Sequence, residues 1–302
     1  MLRKRLAYGF SMSLAITLVL GLDEFFAPWY PLWFLTALIV LGHAALEIIS
    51  LFSVTSARPS GNTVFAGVLA IVVSNWAPHV SEALGPHPIS EAAFDPSAPI
   101  HDLAWPLLTF VAVLMFAFVA QGAQFQRPGA TMSTIAGSIL AVAYVGLLGS
   151  FLIQMRWFEG PSHGLLPLIA LVAVAKGTDT GAYTLGRIAG RHKLWPKLSP
   201  NKTVEGALGG LIAGVAASLI VAAAAKAVLH APMPSWLAVF GYGLVVSTAA
   251  QLGDLMESMI KRDCERKDSS SMVPGFGGVL DVIDSLLFAA PVAYGYWLLF
   301  AP

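Results

Sequence analysis

Two carboxylates, Asp281 and Asp284, stand three positions apart where the last long apolar segment of the chain begins. On a helix they share one face, and a third carboxylate, Asp254, ends the preceding apolar segment. Carboxylates from separate helices can hold Mg²⁺ or another hard divalent cation, with water and substrate phosphate completing its coordination. The pattern predicts a metal site. The alternative is that Asp281 and Asp284 interact with the positive end of a helix dipole.

Basic side chains, a hydroxyl and paired glycines lie between these carboxylates. Helical spacing places Ser258 and Lys261 or Arg262 on the same face as Asp254. Lysine and arginine can neutralise the charge of a polyphosphate in a transition state, and glycines let backbone approach a phosphate or turn tightly. A solvated connector would explain the basic residues but not the acids. The candidates in this stretch are Ser258, Lys261, Arg262, Lys267, Asp268, Gly277 and Gly278.

Asp179 lies at or near the end of another apolar segment. An ionisable residue at membrane depth is costly and usually functional, so Asp179 is a further candidate metal ligand. The alternative is an ion pair with Lys176 or Arg187, which requires no ligand.

The segment from Ser199 to Gly206 is interpreted as a turn that runs into a helix. Pro200 is expected near the helix start, with Thr203 as the cap. Ordinary helix initiation explains this pattern. Lys202 between hydroxyl groups at a helix N-terminus would equally form a phosphate site. Ser199, Lys202 and Thr203 are therefore candidate substrate-binding residues, and the two interpretations stay open.

Apolar residues make up 57% of the 302 residues and charged residues 11%, against roughly 25% charged in a soluble domain. This composition indicates an all-α integral membrane protein. The formal net charge is zero, so no overall basic field indicates a nucleic-acid partner. Because Cys264 is the single cysteine, an intramolecular disulfide is excluded.

About nine apolar segments are near the ~20 residues that span a bilayer. The first follows a basic N-terminus without a small-residue cleavage site, so we interpret it as a retained helix. The segments are 6–22, 30–54, 63–84, 103–121, 131–153, 164–183, 205–229, 235–257 and 282–301.

With a cytoplasmic N-terminus, 14 of the 17 lysines and arginines fall in cytoplasmic segments. This asymmetry predicts that the N-terminus lies inside and the C-terminus outside. Since no long linker interrupts the chain, we predict a single membrane domain over 1–302. Its N-terminal spans occupy 1–160, and its catalytic half occupies 164–302.

The polar residues of the C-terminal half fall into a series of short motifs. They are Asp179-x-x-Ala182-Tyr183, Gly186-Arg187, Ser199 to Gly206, Gly253-Asp254-Leu255-x-Glu257-Ser258, Ser258-x-x-Lys261-Arg262, Lys267-Asp268, Pro274-Gly275-x-Gly277-Gly278 and Leu280-Asp281-x-x-Asp284. In these motifs the chain resembles phosphatidate cytidylyltransferase, the CDP-diacylglycerol synthase family. The similarity covers about 165–300, and the N-terminal half resembles the family only in its serial apolar spans. The family usually has histidine where this chain has Phe276 and arginine where it has Val282.

The resemblance implies that CTP and phosphatidic acid react to CDP-diacylglycerol and pyrophosphate, for phospholipid biosynthesis. It implies an active site facing the cytoplasm at a bacterial-type inner membrane. Asp254, Asp281 and Asp284 would hold Mg²⁺, with Asp179 as a weaker candidate. Of the remaining candidates, three basic residues would face phosphates: Lys261, Arg262 and Lys267.

Two rival functions stay open. One is a CTP-dependent transferase acting on another lipid, such as an archaeol-type lipid or a polyprenol. The other is a transporter, which can also carry intramembrane carboxylates and interrupted helices. The sequence leaves the oligomeric state undecided, and a homodimer is the assembly that we carry forward.

Overall fold

The computed structural model describes residues 16, 18–55, 57–83, 101–126, 128–158, 164–230, 233–273 and 277–300. Helices dominate this part of the chain, and only one pair of short strands occurs in it. The prediction of an all-α polytopic membrane protein is therefore confirmed.

The helices follow the apolar segments of the sequence. A π-helical turn, Ala143–Leu147, joins α5 to α6, and a second one, Ala225–Leu229, extends α8. In chain order the helices are α1 Pro31–Phe52, α2 Gly61–Ser74, α3 Ala77–Ala83, α4 His101–Ala123, α5 Thr131–Val142, α6 Leu148–Gln154, α7 Leu165–Ala189, α8 Val204–Ala224, α9 Trp236–Asp263 and α10 Leu280–Phe300.

Among the described residues, seven helices are long and apolar enough to cross a membrane. They correspond to seven of the predicted segments. The segment predicted at 63–84 is instead divided into the shorter α2 and α3. Of the segment predicted at 6–22, only residues 16 and 18–22 are described, so the count of nine stays a prediction.

The chain divides into two compact units. The first unit comprises Met1–Trp157 and Asp268–Val282, and the second comprises Phe158–Lys267 and Ile283–Pro302. The boundary within the last helix means that the first residues of α10 belong to the first unit. The single domain predicted over the whole chain, and its halves at 1–160 and 164–302, stay predictions.

In the first unit, α1, α2 and the α5–α6 segment bury apolar side chains. Leu41 and Ile48 of α1 and Ile71 of α2 are among its most buried residues. At Gly146, in the π-helical turn, an added Cβ would lie 3.2 Å from the side chain of Ile71. A small residue at this position lets the two helices approach closely.

In the second unit, α7, α8 and α9 approach one another through small residues. A Cβ added at Gly181 of α7 would collide with Ala213 and with the backbone of Gly209 on α8. The Thr178 hydroxyl of α7 donates to Ser247 Oγ of α9 at 2.9 Å. Small side chains and hydroxyl hydrogen bonds are typical of helix contacts in membranes, because lipid supplies no hydrophobic drive for helix association.

An antiparallel hairpin connects α7 to α8, with β1 at Lys193–Trp195 and β2 at Ser199–Thr203. The prediction of a turn from Ser199 was wrong, since these residues form a strand whose backbone pairs with β1. Pro200 accordingly lies inside β2 rather than at the helix start. The structure confirms Thr203 as the N-cap of α8, where its hydroxyl accepts a hydrogen bond from the Gly206 N–H at 3.1 Å.

Candidate functional site

The second unit brings together charged residues that are far apart in sequence. Lys202, on β2, extends its ammonium group to within 2.8 Å of an Asp254 carboxylate oxygen on α9. Both side chains are partly exposed, Lys202 at 25% and Asp254 at 39%. The Lys202 nitrogen atom is itself buried, whereas the more exposed Asp254 carboxylate is accessible to a bound ligand.

A second lysine and aspartate lie on α7. The Lys176 ammonium lies 3.2 Å from an Asp179 carboxylate oxygen, one helical turn along. Of the two alternatives for Asp179, this is the ion pair predicted with Lys176. Lys176 also contacts the Ser285 hydroxyl of α10 at 3.4 Å.

Asp284, the fifth residue of α10, completes the group. Its side chain is buried, with 6% exposure, and it interacts electrostatically with Asp254, Lys176 and Asp179. Asp179 also interacts electrostatically with Asp254 and Lys202. We call these five residues the lysine–aspartate cluster. It contains three of the four predicted metal ligands.

The cluster suits a hydrated divalent cation. Within the described residues, no three His, Cys, Asp or Glu side chains are grouped closely enough to hold a metal. Mg²⁺ is usually bound by only one or two carboxylates, with water and substrate phosphates at its other positions. Asp254 and Asp284 lie within electrostatic range of each other, and Asp254 is partly exposed. The donor chemistry therefore fits Mg²⁺ held jointly with a phosphate.

Lys261 has a partner that the sequence analysis did not assign. It forms an ion pair with Glu257, one turn earlier on α9, and the Glu257 side chain is fully buried. The Lys261 side chain is itself only 12% exposed. Because a buried charge requires a countercharge, Lys261 has a structural role here, and its predicted contact with phosphate stays a prediction.

The other basic candidates are exposed. The Arg262 guanidinium donates to the carbonyl oxygen of Leu198 at 3.4 Å and to that of Arg266 at 3.3 Å. It therefore lies beside the residue that precedes β2. Lys267 is exposed in the segment after α9. Ser258 is half-buried on α9, one turn beyond Asp254, as its helical spacing predicts.

The start of α8 is held by its own side chains. Glu205 accepts hydrogen bonds from the backbone N–H groups of Arg191 at 3.0 Å and His192 at 3.2 Å. Its carboxylate also contacts the His192 ring at 2.6 Å. Together with the Thr203 cap, these bonds connect the hairpin to α8 and so position Lys202 on β2.

In the first unit, Asp281 accepts hydrogen bonds from the part of the chain that precedes it. Its Oδ2 atom accepts hydrogen bonds from the Ser269 N–H at 2.8 Å, the Ser269 hydroxyl at 2.6 Å and the Gly278 N–H at 2.7 Å. Asp268, the neighbour of Ser269, is exposed. The three hydrogen bonds fix the orientation of the Asp281 carboxylate relative to the segment before it.

Gly277 and Gly278 are required by this arrangement. Gly277 has φ of +103°, a conformation that favours glycine, and an added Cβ would lie 2.6 Å from Asp281 Oδ2. A Cβ at Gly278 would collide with Ser269 and Glu47. The glycines therefore let backbone approach carboxylates, and their predicted contact with substrate stays a prediction. Pro274, Gly275 and Phe276 lie outside the described residues.

The sequence analysis missed Glu47, which lies on α1 and is 7% exposed. Its carboxylate accepts four hydrogen bonds from the segment 269–280. The available signal was that Glu47 is the only Asp, Glu, Lys or Arg in α1. By the same reasoning that selected Asp179, such a residue is a candidate for function.

Comparison with known proteins identifies the protein family that the chain resembles. Residues 4–300 match the model of the cytidylyltransferase family. A phosphatidate cytidylyltransferase of Staphylococcus aureus (strain COL) is 42% identical over 154 residues, covering 51% of this chain and 55% of that protein. One from Bacillus subtilis (strain 168) is 39% identical over 162 residues, covering 54% of this chain and 58% of that protein. The chain thus spans about half the length of these curated relatives.

Proposed function

The chain belongs to the cytidylyltransferase family, and on that basis we propose that it transfers the cytidylyl group of CTP to phosphatidic acid. The products are CDP-diacylglycerol and pyrophosphate. One observation carries the proposal: the lysine–aspartate cluster brings carboxylates, the ligand type that Mg²⁺ prefers, together with cations, as polyphosphate chemistry requires. Both relatives described above bear the name of this activity.

The reaction is an in-line displacement at phosphorus. A phosphate oxygen of phosphatidic acid forms a new bond to the α-phosphorus of CTP, while the bond from that phosphorus to the α–β bridging oxygen breaks. Pyrophosphate leaves with the electron pair. Because a phosphate monoester with pKa₂ of about 6 is already ionised near neutral pH, no general base is required. Positioning and charge neutralisation supply most of the rate acceleration.

Lys202 and the exposed Arg262 are the residues that we assign to phosphate groups. Lys202 lies beside Asp254, and Arg262 contacts the residue preceding β2. A lysine ammonium and an arginine guanidinium neutralise the charge that builds up on the departing pyrophosphate. Ser199 and the exposed Lys267 are further candidates for contact with CTP or the lipid headgroup.

Asp254 and Asp284 would hold Mg²⁺. Asp179 and, in the first unit, Asp281 stay predicted ligands. When bound, Mg²⁺ polarises phosphoryl oxygens and neutralises part of their negative charge. Asp254 would hold the cation beside Lys202, since the two side chains are in contact.

We further propose that the protein lies in a bacterial inner membrane with this site facing the cytoplasm. CTP would then enter from water, and phosphatidic acid would enter laterally from the bilayer. The excess of basic residues in the predicted cytoplasmic segments supports this orientation. The homodimer stays a prediction.

The test uses the purified chain in lipid nanodiscs with Mg²⁺ and phosphatidic acid. CTP labelled at the α-phosphorus should give a labelled lipid, whereas CTP labelled at the γ-phosphorus should give only labelled pyrophosphate. Chelation of Mg²⁺ should abolish transfer, and added Mg²⁺ should restore it. Asp254→Asn should reduce transfer by about 10²–10³-fold, while the control Asp263→Asn, at an exposed residue ending α9, should leave it unchanged.

The rival functions predict other outcomes. If an archaeol-type or polyprenyl phosphate is labelled and phosphatidic acid is not, the enzyme acts on another lipid. If folded protein labels none of the lipids, the transferase proposal is wrong. A transporter would instead move a solute across proteoliposomes without forming any CDP-lipid.

A further inference from the structure

Glu47 is a buried carboxylate in an apolar helix, and all four hydrogen bonds described for it come from one short segment. Its Oε1 atom accepts from the Ser270 hydroxyl at 2.7 Å and the Val279 N–H at 3.0 Å. Its Oε2 atom accepts from the Ser269 hydroxyl at 2.8 Å and the Leu280 N–H at 2.8 Å. The donors precede or begin α10, more than 200 positions away in sequence.

Two of these donors belong to the start of α10. The first N–H groups of a helix lack partners within the helix, and a negative charge at this end is favourable. Glu47 therefore caps α10 from α1 through the N–H groups of Val279 and Leu280. An apolar residue at position 47 would leave both N–H groups without this acceptor in a buried place, which is costly.

Ser269 connects Glu47 to Asp281. Its hydroxyl oxygen lies 2.8 Å from Glu47 Oε2 and 2.6 Å from Asp281 Oδ2. A serine hydroxyl has one proton to donate, so the two carboxylates share it. Ser269 is buried, with 1% exposure. A change in the Glu47 carboxylate therefore alters the hydrogen bonding of Asp281 through this shared hydroxyl.

Gly278 shows how little room this contact leaves. A Cβ at this position would collide with both the Ser269 hydroxyl and the Glu47 carboxylate. The backbone at Gly278 therefore lies against these two groups with no room for a side chain. The segment cannot move away from α1 without loss of the hydrogen bonds to Glu47. The Asp281 carboxylate is consequently held in one orientation.

We propose that Glu47 is a positioning residue for the transferase, acting through Ser269 and the start of α10 to orient Asp281. This inference rests on the transferase activity proposed above. Glu47 lies outside the family motifs described above, so the proposal adds a residue of α1 to those that affect the reaction.

Glu47→Gln tests the proposal, because it keeps the size of the side chain but replaces one acceptor oxygen with an NH₂ group. We expect kcat to fall about 10²-fold, as a misplaced catalytic group produces. The KM for CTP should change little. The Mg²⁺ concentration at half-maximal rate should rise, which a loss of folded protein alone would not produce.

A double-mutant cycle separates positioning from stability. Ser269→Ala removes the shared hydroxyl, so Glu47→Gln should cost much less activity in that background than in the wild type. Ser270→Ala is a milder variant in case Glu47→Gln fails to fold, and it should lower kcat severalfold. Its matched control is Ser53→Ala, since Ser53 is exposed and donates only within its own helix end.

Three outcomes decide the question. Non-additive losses of kcat together with a changed Mg²⁺ requirement support the proposal. Wild-type activity in Glu47→Gln, or strictly additive losses with an unchanged Mg²⁺ requirement, overturn it and leave the transferase function intact. If folded wild-type protein forms no CDP-lipid, the transferase function fails first, and the positioning role fails with it.

Discussion

Asp254 in the second unit and Asp281 in the first unit both stand in family motifs, but they have different partners. Asp254 is partly exposed and pairs with the ammonium group of Lys202. Asp281 accepts two backbone N–H groups and a buried hydroxyl at one oxygen atom. A ligand at Asp254 would therefore compete with one side-chain cation, whereas a ligand at Asp281 Oδ2 would compete with three hydrogen bonds from the chain.

The comparison extends to the neighbouring carboxylates. In the second unit, Asp179 and Asp254 each face a lysine ammonium group, so a side-chain cation balances each charge. In the first unit, Glu47 and Asp281 face backbone N–H groups and serine hydroxyls. We infer that the first unit holds its carboxylates in a rigid frame, whereas those of the second unit can exchange partners more readily.

The largest effects are expected for substitutions at Asp254 and Asp281, which should differ in their effect on stability. Asp254→Asn and Asp281→Asn should each reduce kcat by about 10²–10³-fold, since each removes a preorganised charge. Only Asp281→Asn should also lower the free energy of unfolding, by about 2 kcal/mol, because hydrogen bonds to charged groups contribute about 1.5–3 kcal/mol. Kinetics and denaturation in detergent measure the two effects. Equal stability of the two variants would contradict the comparison.

The second prediction concerns the buried ion pair of the second unit. Lys261→Met should lower the free energy of unfolding by about 3–5 kcal/mol, because removal of one partner of a buried ion pair is strongly destabilising. The double variant Glu257→Gln with Lys261→Met should recover much of that stability. If activity returns along with stability, Lys261 is structural. If stability returns while activity stays lost, the predicted contact between Lys261 and phosphate gains support.

Gly277→Ala tests whether the carboxylates of the first unit are held in a rigid frame. Alanine at φ of +103° is strained, at a cost of order 1–3 kcal/mol, and its Cβ would approach Asp281 Oδ2. We expect a lower melting temperature and lower transferase activity together. The control is Gly122→Ala, because no atom lies within 4 Å of an added Cβ there. A fully active, fully stable Gly277→Ala variant would contradict the rigid frame.

The smallest effect is expected at the helix cap of the second unit. Thr203→Ala removes the hydroxyl that accepts the Gly206 N–H, which should cost about 1 kcal/mol of stability. Thr203→Ser keeps the cap and serves as the control. If Thr203→Ala lowers kcat far more than this stability change explains, the hydroxyl also contacts substrate, as the sequence interpretation allowed.

Local patterns predicted much of this molecule. Apolar segments of about 20 residues correspond to seven of the long helices, because the length of a membrane span is set by the bilayer itself. Helical spacing placed Ser258 one turn beyond Asp254, and residue type alone identified Thr203 as a cap. Each of these features depends on neighbours within a few positions, so periodicity and side-chain chemistry are sufficient.

The partners of the charged groups follow from packing instead. Lys202 meets Asp254 because β2 pairs with β1 and returns toward α9, a strand pairing that the interpretation as a turn did not contain. Glu47 meets the start of α10 across more than 200 positions, through a close approach that the glycine at 278 permits. Composition reveals which residues carry charge and where the membrane lies. Which charge meets which donor depends on contacts between distant helices, since no local period encodes them.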